Sequence, residues 1–330
     1  MRFVRDAKTF SSLPAFREPI VNDSIVGVCI GNFDGFHRGH QQLFRTLEDS
    51  LSSLTRAQGK LPLKVLLTFE PHPKRVISEL SIGETLSRPE YWRLTSIRKK
   101  IELASEFGFD YFFAARFSRG FSQLAPKTFV ERILRNPLSP KIVVVGEDWS
   151  FGKNRGGNVE LLSNMGLEMG FQVLAVSPVL WEGKKISSTM VKDALGAGDL
   201  KRVRVLLGRN FSLSGKVRKG TARGRKLGFR TANMRFYCQV LPRDGVYATY
   251  AELDGEKIPS VSNVGVRPTF GAGERLVETH LLIDGGRELL SKNISVEFVE
   301  RIRDEICFPS EDQLRAQIEK DVKRARDVLS

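Results

Sequence analysis

Cysteine is scarce in this 330-residue chain, and long apolar runs are missing. The three cysteines, Cys29, Cys238 and Cys307, lie far apart and show none of the paired spacings that zinc sites and disulfide frameworks require. No stretch approaches the roughly 18 apolar residues of a membrane helix, and the first residues lack the apolar run of a signal peptide. We therefore expect a cytoplasmic protein without a membrane partner, whose cysteines are buried or incidental thiols.

Acidic residues are absent from residues 200–243, a segment that contains 13 Lys or Arg. Subtracting these from the 52 basic residues of the chain leaves 39 basic against 38 acidic residues elsewhere, so this segment accounts for the formal charge of +14. A basic segment of this kind binds RNA, lines a phosphate site or forms a solvated face, and the solvated face is the commonest of the three. The glycines within the segment decide between these interpretations.

The chain is longer than one compact domain usually is, and its 41% hydrophobic residues suffice for a sizeable core, so two domains are expected. In the first 185 residues, short apolar runs alternate with amphipathic stretches, which predicts a Rossmann-like parallel α/β sheet. The runs that predict strands are residues 25–30, 64–69, 110–115, 141–146 and 171–176. The stretches that predict helices are residues 39–54, 96–107, 127–134 and 158–169.

The second half of the chain has a different texture. Runs rich in β-branched residues, separated by Gly, Asn, Asp and Pro, predict an antiparallel β-barrel over residues 246–253, 276–283 and 294–302. Near the end, Ser310 and Gln313 form a capping-box pattern, and apolar residues recur on one face from residue 314 to residue 329. We expect a terminal helix that packs on the barrel. Residues 183–209, which contain the join between the halves, have a helical pattern.

The first candidate site is the turn of residues 31–40, Gly-Asn-Phe-Asp-Gly-Phe-His-Arg-Gly-His, which follows the strand of residues 25–30 and leads into a helix. At the carboxyl end of a parallel strand, such a turn offers free backbone N–H groups and the positive end of a helix dipole to a phosphate. His37 and His40 can both donate hydrogen bonds to that phosphate as charge builds up in a transition state. A single histidine would more often cap or pack the turn, but the two glycines and two histidines together favour a phosphate site.

This turn resembles the His-x-Gly-His turn of the nucleotidyltransferase superfamily, and specifically the amino-terminal half of the bacterial bifunctional riboflavin kinase/FMN adenylyltransferase (FAD synthetase) family. Residues 68–73, 146–152 and 186–189 also occur in that family's order, at strand ends or helix starts. The resemblance implies that His37 and His40 are catalytic. The residues it implies for ATP binding in this half are Gly31, Asn32, Phe33, Asp34, Gly35, Gly39, Ser187, Ser188, Thr189 and Lys192. The residues it implies for flavin binding are Phe69, Pro71, Asp148 and Phe151.

The second candidate site is the segment of residues 215–233, in which glycines and cations alternate irregularly. RNA-binding arginine-glycine tracts are longer and unpunctuated, whereas this segment runs into apolar, strand-like sequence. We therefore favour ATP and expect no nucleic-acid partner. The segment resembles the riboflavin kinase loop of the same family, which implies that Thr231 and Asn233 coordinate magnesium bridging the ATP phosphates. The residues implied to bind ATP in this half are Gly220, Arg223, Gly224, Gly228, Thr231 and Asn233.

Residues 263–270 and 277–280 also fit the family, and the resemblance implies that Glu278 is the base that takes a proton from the riboflavin hydroxyl. The residues alone also allow an exposed strand carboxylate, but the apolar neighbours Val277 and Leu281 argue against full solvation. His280 is expected to have a structural role. The residues implied to bind riboflavin precede the terminal helix and are Arg303, Glu305 and Phe308.

The chain departs from the family pattern in both halves. Lys192 replaces an arginine that contacts phosphate, so the charge stays and the planar fork is lost, and Trp149 replaces a phenylalanine. Arg230 replaces a proline beside Thr231, which removes a fixed φ, and residues 287–292 lack a Leu-Tyr-Gly sequence. Because the last two departures lie near the predicted kinase site, an FMN adenylyltransferase with a weakened kinase domain is one alternative. A nucleic-acid-binding protein with an inactive nucleotidyltransferase fold, motivated by the charge described above, is another.

The sequence thus predicts an FMN adenylyltransferase domain over residues 1–185, a connecting helical segment over residues 186–209 and a riboflavin kinase domain over residues 210–330. The family resemblance implies an enzyme that phosphorylates riboflavin to FMN with ATP and adenylylates FMN to FAD with a second ATP, releasing pyrophosphate. The expected cofactor is Mg²⁺, and the expected partners are the small molecules ATP, riboflavin and FMN. The sequence sets no expectation for the oligomeric state.

Overall fold

The chain folds into two units. The first comprises Met1–Tyr91 and Ile97–Ile186, and the second comprises Trp92–Ser96 and Ser187–Ser330. The domain boundaries at residues 185 and 209 stay predictions. The computed structural model describes residues 1–5, 24–82, 92–219, 229, 231–236, 239–266, 275–283 and 288–330.

The first unit is built on a six-stranded sheet in which neighbouring strands are parallel. Its strands are β1 (Arg2–Val4), β2 (Ser24–Ile30), β3 (Leu61–Glu70), β4 (Tyr111–Arg116), β5 (Ile142–Gly146) and β6 (Gln172–Val176). They lie in the order β1-β4-β3-β2-β5-β6. A hairpin of β7 (Leu180–Trp181) and β8 (Lys184–Lys185) follows. The central strands are buried on both faces, which explains why their sequences are unbroken apolar runs.

Helices cover both faces of this sheet, because each presents an apolar stripe to it. They are α1 (Arg38–Gln58), α2 (Pro73–Ile82), α3 (Ile97–Glu106), α4 (Arg119–Ser122), α5 (Pro126–Phe129), a π-helix (Val130–Arg135), α6 (Asn136–Leu138), a 3-10 helix (Lys153–Arg155) and α7 (Val159–Met169). On one face, Leu47 of α1 and Leu103 of α3 share a buried cluster with Leu66. On the other, Phe129 of α5 and Leu162 of α7 belong to a second cluster.

The second unit contains a closed antiparallel barrel. Its strands are β9 (Phe211–Arg218), β10 (Thr231–Arg235), β11 (Gly245–Leu253), β12 (Glu256–Val266), β13 (Arg275–Leu281) and β14 (Asn293–Arg303). The barrel order is β10-β13-β12-β11-β14-β9, and β9 pairs with β10 to close it. Closure gives every one of these strands a hydrogen-bonded neighbour on both sides, which protects the strand edges.

Among the described residues, three helices complete the second unit: α8 (Ser188–Ala197), α9 (Leu200–Leu207) and α10 (Glu311–Leu329). Each begins with a side-chain cap, because the oxygens of Ser187, Asp199 and Ser310 accept hydrogen bonds from backbone N–H groups three residues later. The terminal helix α10 packs on the barrel, where its Ala325 shares a buried cluster with Val246 of β11.

The predicted parallel sheet, antiparallel barrel and terminal helix are confirmed. All five strands predicted in the first half are present, and so are the four helices, although the one predicted over residues 127–134 is α5 followed by the π-helix. Strand β1 was missed, because three residues are too few to show a period. Cys29 is fully buried in β2, and burial raises the pKa of its thiol. Within the described ranges, no helix is long and apolar enough to cross a membrane.

A buried ion pair fastens α10 to the barrel. Asp321 of α10 is 3% exposed, and its carboxylate accepts hydrogen bonds from Arg303 Nε at 2.9 Å and Nη2 at 2.7 Å. Gln317 Nε2 donates to the same carboxylate at 2.9 Å. The helix therefore depends on a charge pair as well as on apolar contacts.

Asp321→Ala should lower the free energy of unfolding by about 3 kcal/mol, because it leaves the partly buried Arg303 charge without its carboxylate partner. The matched control is Arg324→Ala on the same helix, which breaks an exposed ion pair with Glu300 of β14 and should cost at most about 1 kcal/mol. Urea denaturation followed by circular dichroism measures both losses, and hydrogen exchange of the α10 amides assigns them to the helix. Equal losses in the two variants would contradict the importance of the buried pair.

Candidate active sites

The loop after β2 leaves the sheet at a topological switch point. From β2 the sheet continues to β3 and β4 on one side and to β5 and β6 on the other. Because the strands are parallel, the chain segments that follow β2, β3 and β5 emerge at the same edge. The sheet thus brings residues 31–40, 68–73 and 146–152 to one edge, which is where open α/β sheets bind ligands.

Two buried rings hold the loop after β2 in an unusual backbone conformation. Phe33, Gly35 and Phe36 have φ values of 46°, 89° and 48°, and only glycine adopts such values without steric cost. The rings of Phe33 and Phe36 are fully buried, and their centroids lie 5.3 and 5.4 Å from that of Phe44 in α1. Burial of the rings offsets the backbone strain, and strain of this kind is typical of ligand-binding sites.

The two predicted catalytic histidines stack on each other at the start of α1. The ring centroids of His37 and His40 are 3.6 Å apart and the planes differ by 18°. His37 is the N-cap residue, and its Nδ1 accepts a hydrogen bond from the backbone N–H of His40 at 3.4 Å. Because Nδ1 accepts, the proton of the neutral His37 ring lies on Nε2, which is therefore the donor atom of this side chain.

Lys100 of α3, which the sequence analysis missed, supports the same loop. It is 2% exposed, and its Nζ donates to the carbonyl oxygen of Asn32 at 2.6 Å. Thr68 Oγ1 donates to the same oxygen at 3.2 Å. The available signal was its spacing, because Lys100 falls on the buried stripe of α3 with Leu103 and Ala104.

The other residues predicted in the turn surround the histidines. Asp34 is 4% exposed, whereas the side chain of Asn32 is exposed. The backbone N–H of Gly31 donates to Leu67 O at 3.1 Å, which continues the β2–β3 pairing into the loop. Gly39 lies in the first turn of α1. The structure therefore brings all eight predicted residues of this turn together.

A cluster of aromatic rings connects the segments that follow β3 and β5. The centroid of Phe129 in α5 lies 6.3 Å from that of Phe69 and 5.3 Å from that of Phe151. Trp149 stacks on Phe151, with centroids 4.7 Å apart. Phe69 and Phe151, two of the predicted flavin-binding residues, are only 8% and 6% exposed. They thus form part of a packed aromatic wall, and Pro71 follows β3 in the next loop.

Asp148 has a different environment from the aromatic residues beside it. Its carboxylate is exposed and forms an ion pair with Lys185 of β8. The predicted phosphate-binding residues Ser187, Ser188 and Thr189 belong to the second unit, where they occupy the N-cap and first turn of α8, and Lys192 follows on the same helix. They therefore stand where a helix presents free N–H groups.

Strand register in the barrel places a row of three polar residues side by side. Asn233 of β10 pairs with Glu278 of β13, and Glu278 pairs in turn with Asn263 of β12. Directly paired residues point to the same face of antiparallel strands, with Cβ atoms about 4.5–5.5 Å apart. A predicted magnesium ligand thus stands beside the predicted base. Glu278 is partly buried, as its apolar neighbours suggested.

A chain of buried hydroxyl groups lies on the opposite face of these strands, inside the barrel. Thr249 Oγ1 is 2.8 Å from Ser260 Oγ and 2.9 Å from Ser262 Oγ, and Ser262 Oγ is 2.8 Å from Thr279 Oγ1. All four residues are fully buried. Shifting β13 by one residue would break this chain and turn Glu278 into the core. The hydroxyl network therefore helps to fix which side of β13 carries Glu278.

Thr231 extends the polar row by one position. It lies two residues before Asn233, hence on the same face of β10, and it pairs with His280. The His280 ring meets the Phe229 ring edge-on at 5.3 Å, a packing contact that agrees with the structural role expected for it.

The oxygens of Thr231, Asn233 and Glu278 are hard donors of the kind that Mg²⁺ takes together with phosphate oxygens and water. The described part of the chain contains no cluster of three or more His, Cys, Asp or Glu side chains that would bind a metal ion without other ligands. The donor set therefore fits an ion that is bound together with a nucleotide.

Glu305 reaches this row from the segment after β14. Asn263 Nδ2 donates to Glu305 Oε1 at 3.2 Å. The carboxylate passes over Gly265, where an added Cβ would lie 1.9 Å from the same oxygen. Glycine at this position is therefore required for Glu305 to lie beside Asn263, one residue away from Glu278.

Arg303 and Phe308 occupy the same segment. The guanidinium group of Arg303 is committed to Asp321 and also donates to Asp304 O at 2.8 Å. It lies 5.9 Å from the Phe308 ring. A hydrogen bond from Arg301 holds the pKa of the Asp304 carboxyl below its usual range. Arg303 thus makes structural contacts, and its predicted riboflavin binding stays a prediction.

Several predicted kinase residues lie outside the described residues, namely Gly220, Arg223, Gly224 and Gly228, together with Arg230 and residues 267–270. The segment that lacks the family's Leu-Tyr-Gly is described from residue 288 onward. Val217 of β9 donates to Lys292 O at 2.8 Å and accepts from Ser291 N at 3.1 Å. This departure therefore keeps backbone pairing with the end of β9.

Comparison with known proteins adds independent findings. The FAD synthetase family model matches residues 21–190, and the riboflavin kinase family model matches residues 207–329. A solved structure of a protein described as a macrolide-efflux protein from Streptococcus pneumoniae superimposes with a TM-score of 0.80 and 28% identity, and the match covers 98% of both chains. The two matched ranges contain the histidine turn and the Glu278 row, respectively.

Similar curated proteins cover nearly the whole chain. The bifunctional riboflavin kinase/FMN adenylyltransferase of Escherichia coli K12 is 39% identical over 301 residues, which are 91% of each chain. The Haemophilus influenzae protein of the same name is 38% identical over 298 residues, which are 90% of this chain and 92% of that one. The chain therefore belongs to the bifunctional riboflavin kinase/FMN adenylyltransferase family, with an FAD synthetase domain followed by a riboflavin kinase domain.

Proposed function

We propose that this chain converts riboflavin to FAD in two reactions that each consume one ATP. The observation that carries the proposal is that each matched range contains a separate group of polar residues. These are the stacked histidines in one range and the Asn233–Glu278–Asn263 row in the other. We assign residues 1–185 to FMN adenylyl transfer, residues 186–209 to a connecting helical segment and residues 210–330 to riboflavin phosphorylation. The expected place of action is the cytoplasm.

In adenylyl transfer, a phosphate oxygen of FMN attacks the α phosphorus of ATP, and the bond from that phosphorus to the bridging oxygen of pyrophosphate breaks. Negative charge grows on the phosphate oxygens as the bonds change. His37 and His40 donate hydrogen bonds to these oxygens, and the backbone N–H groups at the start of α1 add to the stabilisation. The strained loop keeps the donors in place before the substrate arrives, so little reorganisation is needed during the reaction.

The remaining adenylyltransferase assignments follow from the family resemblance and the local structure. Ser187, Ser188 and Thr189 bind the β and γ phosphates at the start of α8, and Lys192 supplies a further positive charge. Phe69, Pro71, Asp148 and Phe151 border the flavin. Because Phe69 and Phe151 belong to a packed aromatic wall, they offer ring edges and a rigid boundary to the flavin.

In the kinase reaction, the hydroxyl oxygen of riboflavin attacks the γ phosphorus of ATP, and ADP leaves. Glu278 accepts the proton of that hydroxyl group. Asn233 and Thr231 would hold Mg²⁺, which would neutralise charge on the ATP phosphates. The family resemblance assigns ATP binding to Gly220, Arg223, Gly224 and Gly228.

On the riboflavin side of this site, the contact from Asn263 positions Glu305, and Phe308 offers an aromatic ring to the flavin. The family resemblance also assigns Arg303 to riboflavin binding, and its guanidinium group lies beside the Phe308 ring.

Chromatography of the flavins after incubation with Mg-ATP tests this function. Riboflavin should yield FMN and FAD, and supplied FMN should yield FAD with one pyrophosphate per FAD. If FMN yields FAD while riboflavin yields nothing, an enzyme with FMN adenylyltransferase activity alone replaces the proposal. If no flavin turns over while RNA binds tightly at physiological salt, a nucleic-acid-binding protein replaces it.

His37→Ala and His40→Ala should each reduce kcat for FAD formation from FMN by about 10²–10³-fold, because each removes one donor to the developing charge. The rate of FMN formation from riboflavin should not change, since those residues belong to the other half. Arg45→Ala, at an exposed position of α1, is the matched control and should leave both rates unchanged. A histidine whose replacement slows FAD formation by less than about threefold does not belong to the site.

Glu278→Gln should reduce kcat for FMN formation by about 10²–10⁴-fold, because it keeps the shape of the side chain and removes the base. FAD formation from supplied FMN should continue at the normal rate. Glu252→Gln changes an exposed carboxylate of β11 in the same barrel and serves as the control. Riboflavin phosphorylation at the normal rate by Glu278→Gln would exclude Glu278 as the base.

A further inference from the structure

Lys100 is a buried cation directed at the loop that carries the catalytic histidines. Its side chain lies on the core-facing side of α3 and is 2% exposed. The two cations before it on the same helix, exposed Arg98 and partly buried Lys99, both pair with Glu102, at 3.3 and 3.1 Å. Lys100 instead donates to the Asn32 carbonyl at 2.6 Å.

Packing does not explain a lysine at this position. Removing an ammonium group from water costs several kcal/mol, and an apolar side chain of similar length would fill the same space without that cost. The Asn32 carbonyl also has a second, neutral donor in Thr68, at 3.2 Å. One use of the Lys100 ammonium group is therefore to fix the Asn32 carbonyl with a charge-assisted hydrogen bond, which is stronger than the neutral one from Thr68.

The geometry of the peptide bond shows what fixing this carbonyl does to the loop. In a trans peptide, the C=O of one residue and the N–H of the next point in opposite directions. Lys100 and Thr68 hold the Asn32 carbonyl on the core side of the loop. The N–H of Phe33 consequently points away from Lys100, and the two donors fix the orientation of this peptide at the start of the histidine turn.

We propose that Lys100 is a positioning residue for adenylyl transfer, which orients the Asn32–Phe33 peptide and places a buried positive charge beside the ATP polyphosphate. This inference rests on the proposed adenylyltransferase function. Because Lys100 itself is buried, its charge is screened less by water than an exposed charge would be. Lys100 acts through the peptide and the field, without touching the substrate.

The test compares Lys100→Met, Lys100→Arg and Thr68→Val in FAD formation from supplied FMN. Lys100→Met should lower kcat/KM for ATP by about 10- to 100-fold, because a charge-assisted hydrogen bond is lost, while KM for FMN changes little. Lys100→Arg should recover most of that loss. Thr68→Val removes the second donor and keeps the charge, so its loss should be no more than about tenfold. Arg98→Met, which removes an exposed cation from the same helix, should have no effect.

Thermal unfolding separates positioning from simple stabilisation. Lys100→Met should unfold at the same or a higher temperature than the unmodified protein, because methionine keeps the apolar contacts and removes the desolvation cost. If activity falls only together with the unfolding temperature, or if Lys100→Met and Thr68→Val lose equal activity, the proposal is overturned. Lys100→Gln, which keeps a donor and removes the charge, replaces the methionine variant if that variant does not fold.

The outcomes also separate this inference from the function on which it rests. If the unmodified protein makes no FAD from FMN, the proposed adenylyltransferase function fails. If it makes FAD and Lys100→Met does so equally well, only the role of Lys100 fails. Riboflavin phosphorylation by the same preparations is the internal control, since Lys100 belongs to the first unit and the residues assigned to that reaction belong to the second.

Discussion

The pairing of β13 with both β10 and β12 determines which polar side chains lie side by side in the riboflavin kinase domain. It places Glu278 between Asn233 and Asn263, and Asn263 in turn holds Glu305. On the other side of the same strands, the hydroxyl chain that ends at Thr279 is satisfied only in this register. Because side chains alternate along a strand, a slip of one residue would exchange the two faces. The buried hydroxyl groups and the outward carboxylate thus depend on each other.

The histidine turn depends on support from three directions. The buried rings of Phe33 and Phe36 stabilise left-handed backbone conformations, Thr68 fixes the loop to β3, and Lys100 fixes it to α3. A loop held in this way loses little entropy when a nucleotide binds, which favours both affinity and accurate placement of the donors. The stacking of His37 on His40 is a consequence of this rigidity, since both rings project from the first turn of one helix.

Local pattern in the sequence predicted most of the elements, because apolar periodicity is a local property. The resemblance to a family predicted the residues of the turn and of the Glu278 row. The contacts that neither could supply join residues far apart: Lys100 with Asn32 across 68 positions, Asn263 with Glu305 across 42 and Arg303 with Asp321 across 18. Such pairs follow from tertiary packing, and a single sequence contains no signal that relates one partner to the other.

The distribution of charge shows why contacts between residues far apart in the sequence matter. The excess of positive charge is confined to residues 200–243, and that segment was the natural candidate for anion binding. The buried cation beside the histidine turn lies outside it, next to Arg98 and Lys99, which share an ion pair with the carboxylate of Glu102. A count along the sequence gives all three the same weight. In the folded protein, the solvent-exposed charges are screened, and a fixed charge in the core acts with little screening on its immediate surroundings. Position and burial therefore distinguish these three cations, although a count along the sequence treats them alike.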